Sequence, residues 1–163
     1  METCRRESRS PEETRSLAAR LAAWLQPGDI LALFGELGSG KTEFVHGLAR
    51  GLAVPPQVAV ASPSFTLAHE YPGRHLLVHL DLYRLEALPP EVLPDLEEYL
   101  SGPGVIVIEW AERLERLLPG DYLEVRLKIA GEHERHLTFR GHGRRSRELV
   151  EKLAAATVSG EKL

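Results

Sequence analysis

The chain has 163 residues, 43% hydrophobic and 27% charged, which suits one globular domain with a real core. Its formal net charge of −4 gives no global drive toward nucleic acid, so no DNA partner is expected. The single Cys4 excludes an internal disulfide, no apolar run reaches membrane length, and the charged N-terminus lacks a secretory apolar region. A cytoplasmic protein with no membrane partner is the expectation.

Residues 1–9 are polar and read as a flexible N-terminus. Ser10 and Glu13 then form an S-x-x-E capping box with Pro11 at the first helical position. Leu17, Leu21, Trp24 and Leu25 mark one apolar face, which predicts a helix to about Leu25. Pro27-Gly28 stops it, and Asp29 to Phe34 is a short apolar run read as a buried strand.

The next stretch, Gly35-Glu36-Leu37-Gly38-Ser39-Gly40-Lys41-Thr42, fits the phosphate-binding pattern G-x-x-x-x-G-K-[ST]. Glycines let the backbone turn several N–H groups toward phosphate oxygens. Lys41 supplies a mobile point charge for the β and γ phosphates, and Thr42 offers a hydroxyl to Mg²⁺. Phe44, Val45, Leu48, Ala49 and Leu52 follow at helical spacing, so the helix points its positive end at the same anion. Strand, glycine loop and helix is the arrangement this motif needs.

Pro55-Pro56 closes that helix region. Ser62 to Leu67 reads as a loop entering a strand, and His75 to Leu82 as the return strand of an antiparallel hairpin. Ser62, Ser64 and Thr66 place hydroxyls where a switch-like loop could meet the γ-phosphate, although an ordinary Ser-Pro turn reads equally well. An acidic helix follows, Pro94 to Leu100 at least. Val105 to Ile108 is a β-branched, buried central strand ending in Glu109, with a short helix to Leu118 after it. Tyr122 to Ile129 alternates apolar and polar, His136 to Phe139 returns, and Arg144 to Ala156 closes the chain as a helix. Residues 157–163 read as a flexible tail. The sum is one α/β domain over residues 10–156. It is a three-layer, P-loop NTPase-like fold with a mixed parallel and antiparallel sheet flanked by helices.

A P-loop site needs a carboxylate at the end of a buried strand to hold Mg²⁺ or orient water. Glu109 and Asp81 both qualify, since ligands in such sheets lie beyond the carboxyl ends of strands. Glu109 is the stronger candidate, because a carboxylate straight after an apolar run is costly to bury without a role. Arg84 lies close in sequence but reads as a surface arginine, and the basic run Arg140 to Arg147 as a solvated loop and helix start.

Four stretches taken together, GELGSGKTEFVHGLA, SPSFTL, HLDLYRL and VIVIEWAERL, resemble the TsaE (YjeE) family of small bacterial P-loop ATPases. The resemblance spans roughly residues 10 to 150. Two positions depart from the usual pattern: Ser64 stands where the family has threonine, and Glu43 where a second threonine is common. The resemblance implies an ATPase, slow alone and stimulated by partners, needed for N6-threonylcarbamoyladenosine in tRNA. In that family TsaD and TsaB are the partner proteins and TsaC-type enzymes supply the threonylcarbamoyl-adenylate, while contact with tRNA, direct or indirect, is left open. Carried onto this chain, it implies that Gly35 to Thr42, with Ser64 and Thr66, bind ATP, and that Thr42 and Glu109 hold Mg²⁺. Lys41, Asp81 and Glu109 are the implied catalytic group, with Asp81 a candidate for orienting water. A P-loop small-molecule kinase and a non-catalytic nucleotide-binding regulatory module are the alternatives on the residues alone.

Overall fold

The computed structural model describes residues 3–63, 67–83, 85 and 88–158. Its strands are β1 (Thr3–Ser8), β2 (Ile30–Phe34), β3 (Ala68–Tyr71), β4 (Leu77–Asp81), β5 (Val105–Glu109), β6 (Tyr122–Ile129) and β7 (Arg135–His142). Its α-helices are α1 (Pro11–Ala22), α2 (Lys41–Gly51), α3 (Leu93–Leu100) and α4 (Arg144–Val158). The seven strands form one sheet in the order β1-β7-β6-β2-β5-β4-β3. The middle of that order, β6-β2-β5-β4, is parallel, and the pairs β1/β7, β6/β7 and β3/β4 are antiparallel. The mixed three-layer α/β expectation therefore holds.

Strand alternation divides the apolar residues between two cores. Leu31, Leu33, Val105, Val107, Val125, Leu127 and Phe139 pack with Leu17, Leu21, Phe44, Leu48 and Leu149 from α1, α2 and α4. Ile30, Ala32, Ile106, Ile108, Val78 and Leu80 pack on the opposite face with Leu96 of α3 and with Ala111 and Leu114. β2 and β5 are buried on both faces, which is why they read as unbroken apolar runs rather than alternating ones.

Ser10 caps α1 by accepting from the Glu13 N–H at 3.1 Å. Glu13 answers by accepting from the backbone N–H of Arg9 at 2.6 Å rather than from the cap residue itself. The helix ends at Ala22, before the expected Leu25, and Leu25 is still buried, in a turn.

Two expectations change. Residues 3–8 do not fray: they are the edge strand β1, paired along β7 from Thr3↔Arg140 to Ser8↔Arg135. The pairing is made by backbone groups, and the inward positions are modest: Cys4 in the core, Arg6 donating to the Leu153 carbonyl at 2.8 Å, and the Ser8 hydroxyl 2.7 Å from that of Thr14. The helix expected after Glu109 is instead two 3-10 turns, Ala111–Arg113 and Glu115–Leu117. Trp110 enters them with φ 59°, a left-handed conformation that an α-helix cannot absorb. Ser64, Thr66, Arg84 and residues 159–163 lie outside the described residues.

Candidate functional site at the carboxyl ends of three strands

β2 ends at Phe34, and the loop 35–40 turns its chain into α2 at Lys41. Gly40 is the N-cap with φ 102° and contributes no side-chain cap, so first-turn N–H groups of α2 are left for an anion. Gly35 passes so close to β6 that a Cβ there would sit 2.6 Å from the Leu127 carbonyl oxygen. The loop is thereby seated against the sheet. Ser39 is 1% exposed, and its hydroxyl has no hydrogen-bond partner among the described residues. A buried hydroxyl with no partner among the described residues fits a loop shaped for a polar ligand. Glu36, Leu37 and Gly38 form the exposed tip.

Lys41 is 5% exposed. Its ammonium donates to the Gly35 carbonyl and, at 3.1 Å, to that of Glu36, and it sits 4.0 Å over the Trp110 ring. Burial pulls its pKa below the ordinary lysine value, against the opposing charges of Glu109, Glu112 and Asp81. The unusual backbone of Trp110 thus has a visible consequence: it brings an aromatic face under the loop's lysine.

Sheet register brings the carboxylates to the loop. Leu33 of β2 lies opposite Glu109 of β5, and Glu109 lies opposite Asp81 of β4. The Thr42 hydroxyl donates to Glu109 Oε1 at 3.1 Å and lies 3.1 Å from the Ser62 hydroxyl, which donates to Glu109 Oε2 at 3.2 Å. His79 Nε2 is 2.6 Å from the same Oε2, with both side chains almost fully buried. Asp81 accepts from the Tyr83 N–H at 3.0 Å. Burial raises its pKa above the ordinary aspartate value and the Glu109 charge adds to that, while the Tyr83 N–H, His79 and Ser62 oppose it. A cleft of about 1090 Å³ opens beside the loop, lined among others by Phe34, Gly35, Glu36, Trp110 and Arg126.

Lys41, Thr42, Asp81 and Glu109, named from sequence, therefore converge, while Ser64 and Thr66 cannot be placed. Two neighbours were not assigned to the site beforehand. Ser62 was named as a hydroxyl of a switch-like loop facing the γ-phosphate, not as a partner of Glu109. His79 had a readable signal: two positions before Asp81 on a strand, it must share that residue's face. The oxygens of Thr42 and Glu109 suit a hard cation such as Mg²⁺, which completes its shell with water and phosphate. Among the described residues no group of three His, Cys, Asp or Glu side chains could hold a metal by itself.

A family model described as threonylcarbamoyl adenosine biosynthesis protein TsaE matches residues 8–137. The chain belongs to the TsaE family. It is 42% identical to the tRNA threonylcarbamoyladenosine biosynthesis protein TsaE of Bacillus subtilis over 146 residues, 89% of this chain and 90% of that protein. The Nostoc protein of the same name is 44% identical over 130 residues, 76% of this chain and 77% of its own. A crystal structure of Bacillus subtilis YdiB superposes with a TM-score of 0.78 at 37% identity, covering 96% of this chain and 97% of that one. For this TsaE-family chain, no helix among the described residues is long and apolar enough to cross a membrane.

Proposed function

We propose that this chain binds ATP with Mg²⁺ and hydrolyses it, in the cytoplasm, in support of N6-threonylcarbamoyladenosine formation on tRNA. The observation that carries the reading is the convergence of Lys41, Thr42 and Glu109 at the mouth of the glycine loop. The names of its relatives supply the pathway. TsaD and TsaB are its partners in this reading, and tRNA is reached through them.

The residues divide the work by chemistry. The loop amides from Gly35 to Gly40 and the start of α2 take the phosphate oxygens. Lys41 exchanges two carbonyl contacts for the β and γ phosphates, a gain for an ammonium that burial has already stripped of water. Thr42 and Glu109 hold Mg²⁺, which when bound neutralises charge on the β and γ phosphates. Asp81 orients the attacking water from beside Glu109. The cleft beside the loop leaves room for the rest of the nucleotide. Turnover is slow in the isolated chain and rises when partners complete the positioning of water at the site, which makes the nucleotide a timing device for an assembly.

Lys41→Ala tests this. ATP binding and phosphate release are measured on the pure chain, and tRNA modification in a reconstitution with TsaD, TsaB and a threonylcarbamoyl-adenylate source. The variant is expected to lose all three. Full tRNA modification by Lys41→Ala would remove ATP from the mechanism. ADP formation that needs a small-molecule acceptor and frees no phosphate would favour a kinase instead.

A further inference from the structure

We infer that His79 is a positioning residue for the cation-binding carboxylate, fixing Glu109 Oε2 so that Oε1 stays with Thr42. The inference rests on the reading of this site as one for Mg²⁺ and ATP.

Glu109 is 2% exposed, yet its two oxygens are used unequally. Among the described residues Oε1 accepts only from Thr42, whereas Oε2 takes both His79 and Ser62. Among the described residues Oε2 is thereby the more heavily bonded oxygen, and Oε1 is the one that meets Thr42 at the start of α2. The imidazole also has one natural role here. Its Nδ1 is buried with no hydrogen-bond partner among the described residues, so the ring proton belongs on Nε2, where it meets a carboxylate oxygen. His79 is 0% exposed, which leaves the ring no solvent-facing alternative.

The ring is held from behind as well. His79 pairs in register with His69 of β3. The Tyr71 ring lies 6.2 Å from it, and the Tyr71 hydroxyl donates to the Ala61 carbonyl at 2.9 Å. Ala61 immediately precedes Ser62, so the imidazole that grips Glu109 is packed against the residue that anchors the Ser62 segment. Hydrogen bonds of this outer kind orient a ligand, and losing one typically weakens metal binding about 10- to 100-fold. A purely structural histidine would fill space and neutralise a buried charge without affecting how metal and nucleotide couple.

The test measures that coupling. A fluorescent ATP analogue is titrated into the full chain with and without Mg²⁺, and the fold-tightening by Mg²⁺ is compared across wild type, His79→Leu and His79→Gln. The leucine keeps volume and removes the donor; the glutamine restores an N–H at similar reach. Expected is a tightening reduced about tenfold or more in His79→Leu and restored to within about threefold in His79→Gln. Wild-type tightening in a folded His79→Leu overturns the inference. Absence of any Mg²⁺ tightening in wild type fells the metal reading of the site and this inference with it. Should His79→Leu fail to fold, ¹⁵N-histidine NMR on the wild-type chain decides: the Nε2–H tautomer supports the inference and the Nδ1–H tautomer refutes it.

Discussion

Replacing Gly35 with alanine puts a methyl carbon where two groups already stand. On one side is the Ser39 side chain, on the other the Leu127 carbonyl oxygen at 2.6 Å. Ordinary contact begins near 3.4 Å, so the methyl intrudes about 0.8 Å on the carbonyl. Ser39 can rotate away, but Leu127 cannot: its backbone lies in the middle of β6, paired with Leu137 on β7. The loop must therefore lift from the sheet. Overpacking of this kind costs about 1–3 kcal/mol. For a chain of this size that is a fall in melting temperature of roughly 3–10 °C. A displacement approaching 1 Å also carries the loop amides off a bound phosphate, and each 1.4 kcal/mol so lost is about tenfold in affinity. We expect Gly35→Ala to bind ATP at least about tenfold more weakly, measured by calorimetry alongside thermal unfolding. Gly38→Ala is the control, because Gly38 has φ 84° but open space around its would-be Cβ. Its penalty is torsional only, about 1–2 kcal/mol. Adding Ser39→Ala to Gly35→Ala should recover little, since the carbonyl clash remains. Wild-type stability and affinity in Gly35→Ala would refute the claim that β6 seats the loop.

Two further changes probe the frame behind the site. Asp121 caps α4 from a distance, accepting from the Arg145 and Ser146 N–H groups at 2.8 and 3.0 Å and from the Ser146 hydroxyl at 2.6 Å. Asp121→Ala should cost about 1–2 kcal/mol at neutral pH. Burial acts to raise the pKa of Asp121, but these donors outweigh it and hold it below the ordinary aspartate value. Its stabilisation is therefore present above the unfolded value of about 4 and is lost as pH falls through the lower folded value. The gap in melting temperature between wild type and Asp121→Ala should narrow below about pH 4; a gap that widens there would contradict the sign. Arg145 grips the buried Asp29 with two 3.0 Å contacts. Arg145→Leu strands that carboxylate, and a loss of about 2–4 kcal/mol in chemical denaturation is expected. A loss below about 0.5 kcal/mol would show that Gln26, whose N–H also reaches Asp29 at 2.8 Å, suffices as its partner.

Much of the fold was legible because its signals are local. The β-branched run Val105 to Ile108, the alternation from Tyr122 to Ile129 and the Ser10 cap each declare themselves within a few residues, and β6 spans the residues that alternation marked. What was missed depends on partners far along the chain. β1 has a charged sequence, TCRRES, and exists because β7 offers an unpaired edge more than 120 residues away. Periodicity cannot report an edge. The break at Trp110 was hidden for a different reason: nothing in Trp-Ala-Glu-Arg forbids a helix, and the left-handed turn sets the ring against Lys41 and Tyr83, partners distant in sequence.

The site itself was half legible for the same reason. A glycine loop can be read from one stretch, whereas the carboxylate it needs is chosen by strand order and register. Along β5, Val105 and Val107 pack toward α1 and α2 while Ile106 and Ile108 pack toward α3. Glu109 continues the Val105–Val107 face, and His79 and Asp81 continue the matching face of β4 begun by Leu77. A slip of one residue between β2 and β5 would turn Glu109 away from Thr42 and drive Val107 and Ile108 each onto the wrong core. Because both faces are apolar, hydrophobicity alone would tolerate that exchange. Shape and the Thr42–Glu109–His79 contacts distinguish the two registers. The polar residues at the strand ends thus help to set the alignment that places them at the loop.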